Sequence, residues 1–330
     1  MPRKPEDAPP HAHNIPQYGA KVQMTDPLDT STPLDADGKK FIQRVCGKFQ
    51  FYACAVDSTM LVALSDIATQ QSKATANTLQ KVTQFVNYAA SNPDAKLRFH
   101  ASDMQLKIHT DASYLNHTGA RSRTGSHHYF GNRPPKPDIN NGAILNHQAG
   151  ILRMVVSSAM EAEVGGLYVG TKQGVILRQT CHDLGWPQDT TPVQVDNTAA
   201  AGIINENLKP QRSCAIDMRF YWIRDRVHQG QFHVHWAPGT LNKADYFTKH
   251  FPASHHRAVR PIYLHIERAN ALYYAPHCPI PLRGCAIHPV ARYPDVTYIS
   301  EISHRDTAVG TPGSNPKPTG SRQITSLASK

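Results

Sequence analysis

The sequence has no long hydrophobic run and no closely spaced pair of cysteines. Its apolar stretches stay well short of the roughly 20 residues that a membrane-spanning helix needs, so no membrane partner is expected. The six cysteines form no CxxC pair, and no signal peptide is recognisable, which favours reduced thiols in an intracellular protein. Hydrophobic residues make up 40% of the 330 positions, a low share for one compact globule.

Positive charge is what the chain has in excess. Lys and Arg outnumber Asp and Glu by 35 to 25, for a net charge of +10, and this excess suggests a polyanionic partner such as nucleic acid. Residues 253–330 hold nine basic and four acidic side chains. Half of the excess therefore belongs to a Ser-, Thr-, Pro- and Gly-containing tail that we predict to be basic and largely disordered.

Changes in periodicity divide the rest of the chain into three segments. Residues 1–40, rich in Pro, Asp and Thr, predict an extended or disordered lead-in. Residues 41–103 have apolar side chains at helical spacing and predict a small helical module. The elements predicted across residues 104–252 include an alternating strand over 105–111, a strand around 143–156, a helix from about Ala159 to His182 capped by Ser157-Ser158, and a last helix from about Asn242. Their order is β-β-β-α-β-α-α-β-α. That order indicates an α/β fold in which helices pack on a central mixed sheet.

Acidic residues stand at the ends of the predicted elements. Asp111 ends the strand "LKIHTD", Asp196 ends "VQVD", Glu161 and Glu163 lie in the first turns of a long helix, and Asp245 begins the last predicted helix. Such carboxylates, if gathered at one edge of a sheet, would repel one another and raise their pKa values unless cations were bound. Mg²⁺ prefers carboxylate oxygens, and two ions about 4 Å apart support phosphodiester hydrolysis. The pattern predicts a site for two Mg²⁺ ions, with Mn²⁺ as a possible substitute.

Each acid also has an ordinary structural explanation as a turn residue, a helix N-cap or a partner of the helix dipole. Only their joint occurrence favours a metal site. Amphipathicity does not choose between Glu161 and Glu163. The two lie about 160° apart around the helix, on opposite edges of its apolar stripe.

Basic residues on the helix predicted over about 214–229 are candidate phosphate contacts. Arg212, Arg219 and Arg226 recur every seven residues and drift by only about 20° per repeat, so they form a row. A row of this kind can follow the phosphates of a nucleic acid. A solvated helix face explains the same spacing equally well. Asn197, which follows Asp196, is a further candidate contact.

Five motifs carry a resemblance to a known family: "HTDAS", "SSAMEAEVGGL", "VDNTAAAGII", "RSCAIDMRFYWIRDRV" and "WAPGTLNKADYFTK". In this order they resemble the RNase H domain that ends the Pol polyprotein of copia-type LTR retrotransposons. The resemblance covers roughly 41–252, and 41–103 resembles the connection that follows the reverse transcriptase palm. It implies an RNase H-like fold that hydrolyses the RNA strand of an RNA–DNA hybrid, in cytoplasmic virus-like particles or in the nucleus.

By position, the resemblance implies the catalytic and metal-binding acids Asp111, Glu163, Asp196 and Asp245. Glu163 is chosen because "EVGGL" is the better match, and Glu161 is kept as the alternative. Three departures stand out: the loop "APGTLNKAD" lacks a His, Cys214 replaces an expected Lys, and no YxDD-like polymerase motif is present. We therefore expect a C-terminal piece or truncated copy whose partners would be the missing reverse transcriptase palm and fingers. Two rival hypotheses are a catalytically silent nucleic-acid-binding remnant and an integrase-like polynucleotidyl transferase.

Overall fold

Five strands form one mixed sheet in the computed structural model, which describes residues 9–13, 29–117, 119–136, 138, 142–206 and 218–265. The strand order is β3-β2-β1-β4-β5. Strand β1 runs antiparallel to β2 and parallel to β4. The strands are Gln105–His117 (β1), Arg121–Gly131 (β2), Ala143–Ile151 (β3), Thr191–Val195 (β4) and Phe232–Trp236 (β5). This sheet, with its flanking helices, confirms the predicted α/β fold class of a mixed sheet flanked by helices.

Seven α-helices accompany the sheet in the described part of the chain. The long helix α4 connects β3 to β4 and lies against β1 and β2. Helices α5 and α6 precede β5 and share a core with α4 and the sheet. The helices are Ala36–Ala55 (α1), Leu61–Gln70 (α2), Ala76–Ser91 (α3), Ala159–Asp183 (α4), Thr198–Ile204 (α5), Met218–His228 (α6) and Ala253–Tyr263 (α7). Among the described residues, none of these helices is long and apolar enough to cross a membrane.

Strand β1 alternates as the sequence predicts. The side chains of Ile108 and Thr110 face α4, since Cβ atoms added at the glycines of that helix would meet them. On the other face, His109 accepts a hydrogen bond from the backbone N–H of Lys243, and Asp111 accepts one from the hydroxyl of Thr248. The period-two alternation of a strand thus separates the two sides of the sheet.

The helical module begins earlier than predicted. Helix α1 starts at Ala36, inside the segment 1–40 that was expected to be extended, because Asp35 caps it by accepting a 2.8 Å hydrogen bond from the N–H of Gly38. The segment 9–13 also contacts the module, since Gln84 donates a 3.0 Å hydrogen bond to the carbonyl of Pro9. An Asp followed by helix-compatible residues was the local signal for this earlier start.

A buried ion cluster joins the helical module to the sheet. Asp66 on α2 is only 3% exposed. It contacts Arg123 of β2 at 3.2 Å and Lys81 of α3 at 3.0 Å. A buried carboxylate needs such partners, because unpaired charge is costly away from water.

The prediction of a disordered tail directly after Pro252 is wrong for residues 253–263. These residues form α7, whose Val259 and Tyr263 are buried in the core of the helical module. Arg260 of the same helix donates a 2.9 Å hydrogen bond to the Tyr88 hydroxyl. Few apolar residues and an internal Pro261 conceal the helical period in the sequence.

Two other predicted elements differ in the structure. The helix expected from about Asn242 is a single 3-10 turn, Asp245–Phe247. The strand expected over 143–156 ends at Ile151. The predicted start of α6 near Cys214, the candidate contact Arg212 and the tail beyond residue 265 lie outside the described residues.

Candidate metal centre

Three of the predicted acids meet at one end of the sheet. Asp111 lies on the central strand β1, Glu163 on the second turn of α4, and Asp196 directly after β4. One carboxylate oxygen from each lies within 4.8 Å of the other two. Asp111 and Glu163 are buried, with exposures of 1% and 6%, and Asp196 is half-buried.

Glycines on α4 allow this close approach. A Cβ added at Gly170 would lie 2.5 Å from Cγ2 of Thr110, and one added at Gly166 would lie 3.0 Å from the carbonyl oxygen of Asp111. The helix can therefore rest directly on β1 and bring Glu163 to the strand. This glycine face was not predicted, although glycines at 166, 170 and 174 repeat every four residues, the spacing of one helix face.

The structure separates Glu161 from Glu163. Glu161 is used in the helix start, where one of its carboxylate oxygens accepts hydrogen bonds from the N–H and hydroxyl of Ser157, at 2.7 and 2.8 Å. Glu163 turns to the strand and accepts a 3.3 Å hydrogen bond from the N–H of Ala112. Its second oxygen, Oε2, is buried without a hydrogen-bond partner among the described residues. A buried carboxylate oxygen of this kind is an available ligand.

Asp245 lies beside this group rather than within it. Its ligand atoms are not among the three that meet within 4.8 Å. Its segment is nevertheless tied to β1, because Asn242 donates a 2.8 Å hydrogen bond to the carbonyl of Thr110. The Thr248 hydroxyl donates a hydrogen bond to the Asp111 carboxylate, and its oxygen also lies 2.9 Å from the carbonyl oxygen of Asp245. The role of Asp245 as a fourth ligand stays a prediction.

The electrostatics of the site resist full ionisation. Burial raises the pKa of Asp111, the ammonium of Lys249 opposes that rise, and the carboxylate of Asp245 adds to it. Burial also raises the pKa of Glu163, reinforced by the charges of Asp111 and Asp196. The pKa of Asp196 is raised mainly by burial, again against the influence of Lys249. Clustered carboxylates with raised pKa values favour a cation that neutralises them.

The loop after β5 closes the site near Asp196. The indole N–H of Trp236 donates a 3.0 Å hydrogen bond to the carbonyl of Asp196. A Cβ added at Gly239 would lie 3.0 Å from an Asp196 carboxylate oxygen. Trp236, Thr248 and Lys249 were not selected from the sequence. For Thr248 and Lys249 the sequence held a signal, because they stand three and four residues after Asp245, a spacing that brings side chains together on a helical turn.

The two predicted phosphate contacts within the described residues, Arg219 and Arg226, each pack against an aromatic ring. Arg226 stacks over the ring of Trp222, with its guanidinium carbon 5.2 Å from the ring centroid, and donates a 3.1 Å hydrogen bond to Gln229. Arg219 lies 6.0 Å from the ring centroid of Tyr168. These cation–π contacts give the two arginines a packing role within the protein.

Asn197 has a clear local role, since its side-chain oxygen caps α5 by accepting a 3.0 Å hydrogen bond from the N–H of Ala200. Caps of this type are strongly preferred at helix starts. Contact of Asn197 and the two described arginines with nucleic acid stays a prediction.

Comparison with known sequences confirms the resemblance to a retroelement Pol polyprotein. The chain is 26% identical over 174 residues to the retrovirus-related Pol polyprotein from transposon TNT 1-94 of Nicotiana tabacum. The match covers 52% of this chain and only 12% of that polyprotein, so the chain represents a small part of its relative's length. No protein-family model matches the chain.

Solved structures with similar folds include RNase H domains. The N-terminal RNase H domain of Rv2228c from Mycobacterium tuberculosis is 14% identical, covering 44% of this chain and 95% of that one, with a TM-score of 0.33. LC11-RNase H1 in complex with an RNA/DNA hybrid is 13% identical, with coverages of 44% and 94% and a TM-score of 0.33. The foamy viral protease-reverse transcriptase in complex with dsDNA is 11% identical, with coverages of 64% and 40% and a TM-score of 0.38.

Proposed function

We propose that this chain is a Mg²⁺-dependent ribonuclease H that hydrolyses the RNA strand of RNA–DNA hybrids, as the C-terminal part of a copia-type retrotransposon polyprotein. The observation that carries the proposal is the convergence of Asp111, Glu163 and Asp196, with oxygens from all three within 4.8 Å of one another. These three acids, distant in the sequence, are three of the four that the family resemblance implies as catalytic.

The donor set fits a hard divalent cation. All three converging ligands are carboxylates, and Glu163 contributes a buried oxygen without a hydrogen-bond partner among the described residues. Mg²⁺ takes oxygen ligands and usually keeps several waters, and Mn²⁺ accepts the same ligands. Asp111, Glu163 and Asp196 would hold the metal, with Asp245 at its side. Two bound ions would supply an activated water for in-line attack and stabilise the leaving 3′ oxygen.

The protein's own part in the reaction is to hold these ligands in place. Thr248 fixes Asp111 through its hydroxyl, and the N–H of Ala112 orients Glu163. Trp236 anchors the backbone of Asp196 from the following strand. Ligands that are already positioned lose little freedom when the reacting groups arrive, and this raises the rate.

We propose that α6 contributes to substrate binding. Arg219 and Arg226 would contact phosphates, which makes binding sensitive to salt. The RNA strand would be distinguished by its 2′-hydroxyls in the wide minor groove. The polymerase parts of the parent polyprotein are the proposed partners, and an intracellular particle or the nucleus is the proposed location.

The test is cleavage of a labelled RNA–DNA hybrid by the full chain with Mg²⁺, with Mn²⁺ and with a chelator. We expect cleavage that yields 5′-phosphate and 3′-hydroxyl ends, abolished by the chelator and reduced at least about a hundredfold by Asp196→Asn. Asp183→Asn is the matched control. That carboxylate lies at the end of α4 and accepts a hydrogen bond from Gln179.

Three results would contradict the proposal. Equal cleavage by the natural chain and by Asp196→Asn would remove the acids from the mechanism. Hybrid binding without cleavage by either would favour the silent remnant. Joining of DNA strands in place of hydrolysis would favour the polynucleotidyl transferase.

A further inference from the structure

A lysine faces the acidic group from the segment that carries Asp245. The ammonium of Lys249 contacts a carboxylate oxygen of Asp245, four residues earlier in the chain. Its charge also acts on Asp111, Glu163 and Asp196, opposing the rise in their pKa values. The positive charge of Lys249 therefore interacts favourably with all four of the acids predicted from the sequence.

The backbone beside Lys249 is held firmly on β1. The carbonyl of Thr248 accepts hydrogen bonds from the side chains of Ser113 and Asn116, both at 3.3 Å. The Thr248 hydroxyl bonds Asp111 on the same strand. The lysine thus starts from a fixed backbone, while its side chain is 45% exposed and reaches solvent.

The ammonium of Lys249 and two divalent cations together would carry more positive charge than the four carboxylates can balance. Four ionised carboxylates carry a charge of about −4, which two divalent cations neutralise completely. An ammonium that remained among them would leave an excess positive charge and would repel the nearer ion. Asp245 is the acid most affected, because it contacts Lys249 directly and lies outside the group of three converging ligands.

We propose that Lys249 is the internal counter-ion of this site: it pairs with Asp245 in the metal-free chain and must leave Asp245 before a second divalent cation can bind there. On this view Lys249 sets how weakly the second cation is held, while the first is held by Asp111, Glu163 and Asp196. The inference rests on the proposed function, because it assumes that these acids bind metal. It adds a positioning residue that acts through Asp245.

The experiment is a Mn²⁺ titration of the full chain without nucleic acid, in which free Mn²⁺ is counted by electron paramagnetic resonance. The natural chain should bind one ion more tightly than a second. Lys249→Gln should lower the second dissociation constant by roughly two- to fivefold, the range expected for removing one partly exposed ion pair. Lys249→Arg keeps the charge and should bind like the natural chain.

Lys107→Gln is the matched control, because Lys107 forms a 2.8 Å ion pair with Asp138 and touches none of the four acids. Circular dichroism checks that each variant is folded. A metal-free melting curve gives a second readout: Lys249→Gln should melt below Lys249→Arg, and Mn²⁺ should close the gap.

The outcomes separate the inference from the proposed function. If the natural chain binds no more Mn²⁺ than Asp196→Asn does, the metal site is absent and both ideas fail. If the natural chain binds Mn²⁺ but Lys249→Gln gives the same binding curve, only the role of Lys249 is overturned. Equal tightening by Lys107→Gln would show a general charge effect and would also overturn that role.

Discussion

Gly125 offers a direct test of how the fold assembles the site. It lies on β2 opposite Asp111. A Cβ added there would lie 2.8 Å from the carbonyl oxygen of Ala244, 2.8 Å from Cβ of Phe247 and 2.9 Å from Cγ2 of Thr248. All three atoms belong to the segment that carries Asp245, and none is the end of a flexible side chain.

The expected effect of Gly125→Ala follows from these distances. Comfortable contacts between such atoms begin near 3.5 Å, so the segment must move by roughly 0.7 Å or more. Overpacking of this kind costs about 1–3 kcal/mol, offset by up to about 1 kcal/mol for removing a strand glycine. A misplacement near 1 Å lowers catalytic rates by about a hundredfold. We therefore expect a net loss of about 1–2 kcal/mol and a ten- to hundredfold slower hybrid cleavage.

Gly150→Ala is the control for this substitution. Gly150 lies on the neighbouring strand β3, opposite Thr124, and a Cβ added there would meet nothing within 4 Å. Its alanine variant should cleave normally and be as stable as the natural chain or slightly more so. Urea unfolding and single-turnover cleavage measure the two quantities. If both alanine variants behave alike in both assays, the packing argument for Asp245 and Thr248 is refuted.

Glu161→Gln should keep cleavage within about twofold of the natural rate and lower stability by about 1 kcal/mol, since it weakens hydrogen bonds to Ser157. Glu163→Gln should abolish cleavage, and the opposite pattern would reverse the assignment of the two glutamates. Arg260→Met should lower the free energy of unfolding by about 3 kcal/mol, because it leaves the fully buried Asp57 without its cation. Unchanged urea unfolding would show that α7 contributes little to holding the module together.

Local patterns were sufficient to identify most of the elements. The alternation through Asp111 predicted β1, and the Ser157-Ser158 cap followed by a long helical pattern predicted α4 over 159–182, against Ala159–Asp183 observed. Helix α7 was not predicted from the sequence, because its buried face is short and Pro261 lies within the helix. That helix is stabilised by a core made of residues from the helical module, and no nearby residue signals this partner.

For the candidate site, too, local patterns nominated residues and packing decided between them. The sequence nominated Asp111, Glu163, Asp196 and Asp245, but amphipathicity left Glu161 and Glu163 equivalent. Packing separated them, because α4 rests on β1 through its glycine face and turns Glu163, not Glu161, towards the strand.

By itself, then, the sequence determined most of the elements and which acids stand near their ends, since periodicity and capping depend on neighbours within a few residues. Tertiary structure alone decided that three of those acids meet, that Asp245 lies to one side and that Lys249 faces them all. These facts depend on distances between elements up to about 140 positions apart, and close packing against glycine sets those distances.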